Sequence, residues 1–76
     1  MTTAEEKELY IHAINGIEPN IDYCVAMNKK GFMEYTGNGW NEAWAWDLSK
    51  IKELSLEALR ALYANALPYD ISLKYL

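Results

Sequence analysis

A 76-residue chain with a single cysteine must be held together by side-chain packing or by association, because the usual staples of small domains are missing. Surface-to-volume scaling leaves so short a chain a marginal core. Cys24 has no partner for an intrachain disulfide. Cys24 and His12 together fall short of the roughly four ligands of a closed zinc site. The composition suits packing, with 51% hydrophobic residues, three Trp, six Tyr and one Phe. Disorder goes with few aromatics and low hydrophobicity, the opposite of this chain. One domain spanning residues 1–76 is expected, with no metal and no cofactor.

Eleven Asp and Glu against seven Lys and Arg give a formal charge of −4. Phosphate binding calls for a basic patch. The basic residues here are scattered, and Lys29-Lys30 is their only adjacent pair, so direct nucleic-acid binding is not expected. The negative charge serves solubility, or it steers a basic partner, including a protein that itself grips nucleic acid. No segment approaches the roughly 20 apolar residues of a membrane span, so no membrane association is expected. The acidic start, Met1 to Glu6, has no apolar run behind it and does not read as a signal peptide. With a lone thiol, this points to the cytoplasm.

The first predicted element is a helix from about Ala4 to Asn15. Thr3 with Glu6 makes a capping box, and Tyr10, Ala13, Ile14 and Ile17 form its apolar stripe. Ile21, Tyr23, Val25 and Met27 alternate with Asp22, Cys24 and Ala26, which predicts a strand. Asn28 to Gly31 reads as a hairpin connection and Phe32 to Thr36 as a second strand. Gly37-Asn38-Gly39 marks a further turn. Trp40 to Asp47 fits a third strand or a helix capped by Asn41, and the preceding turn favours the strand. Asp47 or Ser49 caps a short helical turn. Ser55 caps a helix from Leu56 to about Leu67, with Leu56, Leu59, Leu62, Tyr63 and Ala66 as its core stripe. Ile71 to Leu76 reads as a fourth strand or a frayed tail. The expected fold is α+β: an N-terminal helix, a three-stranded antiparallel meander, a C-terminal helix, and room for a fourth strand.

Catalytic chemistry is hard to assemble from these residues. His12, the sole histidine, falls opposite the Tyr10/Ile14 stripe, in a solvated position without a positioned partner. Cys24 sits among apolar neighbours, where a thiol is usually an inert small hydrophobe. Gly37-Asn38-Gly39 lacks the Lys and Ser/Thr of a phosphate loop. No catalytic residues are assigned and an enzyme is not expected.

Three features suggest binding instead. Trp40, Trp44 and Trp46, with Phe32 and Tyr35 before them, are residue types that dominate interface hot spots. Core filling is the alternative use of the same rings. Glu34, Glu42 and Asp47 flank them. On the last helix, the face opposite the core stripe holds Glu57, Ala58, Ala61, Ala64 and Asn65, nearly without charge. Ala58, Ala61 and Asn65 are therefore candidates for self-association, although exposed Ala is also a good helix former. A flat sheet face of Cys24, Ala26, Ala43 and Ala45 would likewise suit a homodimer.

Short, acidic, aromatic-rich domains without a catalytic set are common among phage and mobile-element proteins that bind host proteins, including inhibitors of defence nucleases. The leading expectation is therefore a protein partner, met through Trp40, Trp44, Trp46 and Tyr35 with Glu34, Glu42 and Asp47. The alternatives are an oligomer that sequesters a nucleotide, with Lys29, Lys30 or Arg60 on the phosphate, and an assembly protein.

Overall fold

A computed structural model describes residues 1–40 and 43–72 of the chain. Helix α1 runs Thr3–Asn15. Its capping box uses Thr2 rather than Thr3: Thr2 Oγ1 accepts from the Glu5 N–H, and the Glu5 carboxylate accepts from the Thr2 N–H, both at 3.2 Å. Paired threonines and paired glutamates make either register possible, and the structure adopts the earlier one. Ile14 is fully buried and Ile17 nearly so, while Tyr10 and Ala13 are half-buried.

The strand predicted for residues 21–27 is a helix. Helix α2 spans Ile21–Lys29 and is started by Asn20, whose side-chain oxygen accepts from the Tyr23 N–H at 2.9 Å. Asp22 in the first turn and Lys29 in the last complement the helix dipole. Tyr23, Cys24 and Met27 turn inward, whereas Ile21 and Val25 are 55% and 40% exposed. A short run made almost wholly of apolar and small residues satisfies a period of two as well as one of 3.6. The cap and the charged ends decide for the helix. The flat sheet face built on Cys24 and Ala26 therefore does not form: Cys24 belongs to the core and Ala26 to an exposed helix surface.

The meander is accordingly a two-stranded sheet. Gly31, at φ +86°, turns the chain out of α2, and an added Cβ there would lie 3.1 Å from Lys50 Nζ. Strand β1 (Met33–Tyr35) then pairs antiparallel with β2 (Trp44–Trp46), with Met33 opposite Trp46, Glu34 opposite Ala45 and Tyr35 opposite Trp44. The Thr36 N–H donates to the Ala43 carbonyl at 2.8 Å and the Asp47 N–H to the Phe32 carbonyl at 2.9 Å, extending the ladder at both ends. Trp40 lies in the connection between the strands, not in a strand.

Asp47 caps the short helix α3 (Leu48–Ile51), and Ser55 Oγ accepts from the Ala58 N–H at 3.1 Å to start α4 (Leu56–Ala66). Leu59, Leu62 and Ala66 are buried on α4, with Leu56 and Tyr63 half-buried at the edge of the predicted stripe. A 3₁₀ turn at Leu67–Tyr69 follows. The chain then returns to the α1–α2 connection: the Asn20 N–H donates to the Tyr69 carbonyl at 3.1 Å and the Ile71 N–H to the Glu18 carbonyl at 2.9 Å. Ile71 and Ser72 form a second 3₁₀ turn rather than the start of a fourth strand, and the rest of that predicted strand, 73–76, lies outside the described residues.

The fold is thus α+β. Helix α1 packs along α4, with Tyr10 and Tyr63 edge to face at 5.9 Å. The sheet packs on α1 and α2. A single core joins Ile14, Ile17, Tyr23, Cys24, Met27, Met33, Trp46, Ile51, Leu59, Leu62 and Ala66. Among the described residues no helix is long and apolar enough to cross a membrane.

Candidate functional site

Alternation along the paired strands puts Met33, Tyr35, Trp44 and Trp46 on one sheet face and Glu34 and Ala45 on the other. The aromatic residues of that face have unequal environments. Trp46, next to the core, is 5% exposed. Its indole N–H donates to the Ile17 carbonyl at 3.0 Å, and its ring meets Tyr23 edge to face at 6.3 Å. Trp44, one step outward, is half-buried and edge to face with Tyr35 at 5.1 Å. Its Nε1 is buried without a hydrogen-bond partner. Tyr35 is 46% exposed and Trp40, in the connecting loop, is 93% exposed. The Trp40 N–H donates to Asn38 Oδ1 at 3.2 Å. Neighbouring Gly39, at φ +85°, has open space where a Cβ would stand.

The three predicted acids do not act alike. Glu34 is exposed, on the sheet face opposite Tyr35. Asp47 is committed to capping: its carboxylate accepts from Ser49 Oγ at 2.6 Å and from the Lys50 N–H at 3.4 Å. The Ser49 hydroxyl, above all, holds that carboxyl below its ordinary range. Glu42 lies outside the described residues.

Ala58, Ala61 and Asn65 come together along a shallow groove of about 350 Å³ between α4 and α2, with Lys30, Phe32 and Leu54 on its other walls. Asn65 accepts a hydrogen bond from the Tyr23 hydroxyl at 3.0 Å. A second depression, of about 420 Å³, lies over α1 and α4 between Leu9, Tyr10, Ala13 and Tyr63. Arg60 borders this region, paired with Glu6 at 2.7 Å and 5.9 Å above the Tyr10 ring. It is therefore engaged on the α1 side of α4, away from Lys30 in the α2–α4 groove.

Cys24 is buried, and its Sγ donates weakly to the Pro19 carbonyl at 3.5 Å. Burial pushes the thiol pKa up. His12 is exposed at the C-terminal end of α1. Among the described residues, no three of His, Cys, Asp and Glu converge as a metal-ligand group. Sequence reasoning missed one surface. Among the described residues, Ile21, Val25, Tyr69 and Ile71 are four of the eight exposed large hydrophobics, and all belong to α2 or to the segment hydrogen-bonded beside its start. Recognising Asn20 as a cap would have found the helix and hence its outer stripe.

The chain matches no family model, no curated protein and no solved structure.

Proposed function

We propose that this chain is a non-catalytic protein-binding module, an inhibitor or adaptor of the kind that phages and mobile elements direct at host proteins, and that it docks through the Trp40 loop and the adjoining Tyr35–Trp44 pair. The observation that carries this reading is the 93% exposure of Trp40 in a chain short of core material. A marginal domain gains most from burying its largest apolar side chain, and an indole left in water is available to a partner. The Thr36–Ala43 hydrogen bond closes the base of the loop and holds it beside the half-exposed Tyr35. Glu34 supplies negative charge from the opposite face of the same strand, suited to a basic partner. Trp46 and Asp47 support the hairpin from beneath as core and cap.

The test is affinity capture from cell lysate with quantitative mass spectrometry, comparing the wild type with Trp40→Ala and Glu34→Lys. One or more proteins should be enriched by the wild type and lost with Trp40→Ala, with far-ultraviolet circular dichroism unchanged. An identical captured set for wild type and Trp40→Ala overturns the reading.

A further inference from the structure

We propose that the outer face of α2 is a self-association surface, on which the α2 helix of a second copy packs antiparallel about a two-fold axis. Ile21 and Val25, 55% and 40% exposed, stand one turn apart on this face. Asp22 and Lys29 border the same stripe two turns apart, and among the described residues neither has an ion-pair partner. Tyr69 and Ile71, 45% and 36% exposed, lie beside the N-terminal end of the helix through the Asn20–Tyr69 and Glu18–Ile71 backbone bonds, with the Tyr69 ring stacked on the inward-facing Tyr23 at 4.9 Å.

A second copy fits this surface because the surface complements itself. An isologous interface places each residue against the partner's equivalent of its mate. The two-fold that sets Asp22 of one copy against Lys29 of the other also sets Val25 against Ala26 and Ile21 against the aliphatic stem of the capping Lys30. The acidic end of each helix then meets the basic end of its neighbour, the branched side chain meets a small one, and the two helix dipoles run opposed. A parallel arrangement would instead stack Asp22 on Asp22 and Lys29 on Lys29. The nine-residue helix is only about 13.5 Å long. By itself it falls below the roughly 800 Å² per partner of a standard interface, so the dimer is a weak one.

The experiment is sedimentation equilibrium on the full chain from low-micromolar to millimolar concentration. The wild type should be a reversible monomer–dimer system. Asp22→Lys and Lys29→Asp, which replace each attraction by repulsion twice per dimer, should each weaken association about tenfold or more. The double variant D22K/K29D should recover it. A purely structural role for these charges predicts the reverse, since the double change opposes the helix dipole at both ends. Val25→Glu should abolish the dimer while circular dichroism stays the same, and it decides the matter if the double variant loses helix. A wild type that stays monomeric throughout, or a dimer unmoved by Val25→Glu and the single charge reversals, overturns the proposal. So does a folded double variant that fails to recover association.

Discussion

The indole N–H of Trp46 donates to the carbonyl oxygen of Ile17 at 3.0 Å, tying the sheet to the end of α1. The Trp44 indole, two residues earlier in the same strand and on the same face, buries its N–H with no acceptor. Phenylalanine at the two positions should therefore have unequal consequences. Trp46→Phe strands the Ile17 carbonyl and leaves a void, at a cost of about 2–4 kcal/mol. Trp44→Phe gives up some packing but removes an unpaired donor, so the change should stay within about 1 kcal/mol. Chemical denaturation of both variants checks this, and equal destabilisation would remove the distinction drawn between the two rings.

That contrast also marks where the sequence stops being legible. Caps and stripes are local, so α1, α4 and the Ser55 cap could be read from residues a few positions apart. That Trp44 and Trp46 lie in a strand was legible from the Gly37-Asn38-Gly39 turn before them, which favours strand over helix there. Which indole reaches the core was not, because that depends on where the Ile17 carbonyl lies, and Ile17 is 29 residues away. The 21–27 segment failed for a different reason. Its side chains hardly discriminate between helix and strand, and the deciding signal is the preceding Asn20, whose side chain caps the helix. Once α2 is a helix, no third strand is left for a meander, and Val25, which the alternation grouped with Tyr23 and Met27, turns out to solvent. The sequence groups Trp40, Trp44 and Trp46 within seven residues, but their division into exposed Trp40, half-buried Trp44 and buried Trp46 is a tertiary property.

Asp70 anchors the end of the described chain. Its Oδ1 accepts from Ser72 Oγ at 2.7 Å, from the Ser72 N–H at 3.0 Å and from the Glu18 N–H at 3.3 Å. The Ser72 hydroxyl is the main cause of a carboxyl pKa held below its ordinary value of 3.8, with the two N–H groups adding to it and desolvation opposing. A depressed folded pKa means that the unfolded chain takes up the proton first. The tether's contribution is therefore present above the ordinary carboxylate value and fades as pH falls through the lower value of the folded state. Amide exchange at Ile71, bonded to Glu18, should accelerate relative to core amides in that acid range. Asp70→Ala should show the fast exchange already at neutral pH. Ile71 protection unchanged in Asp70→Ala would refute an anchoring role.

Cys24 gives a reporter of global opening. It is 2% exposed in the core, and burial is the main cause of its raised thiol pKa, partly offset by a hydrogen bond from its own backbone. The folded thiol thus stays protonated where an unfolded one, with an ordinary value of 9.0, begins to ionise. The sign follows: the unfolded state loses its proton first, so this group's contribution is intact below the ordinary thiol range and declines as pH rises through it. At mildly alkaline pH, an aromatic disulfide reagent should react with the folded chain only as fast as the chain opens. Adding denaturant should raise the rate in step with the unfolded population. Cys24→Ala should cost roughly 1–2 kcal/mol from the lost sulfur packing. Rapid, stoichiometric labelling under native conditions, independent of denaturant, would place the thiol at the surface and contradict its position beneath Pro19.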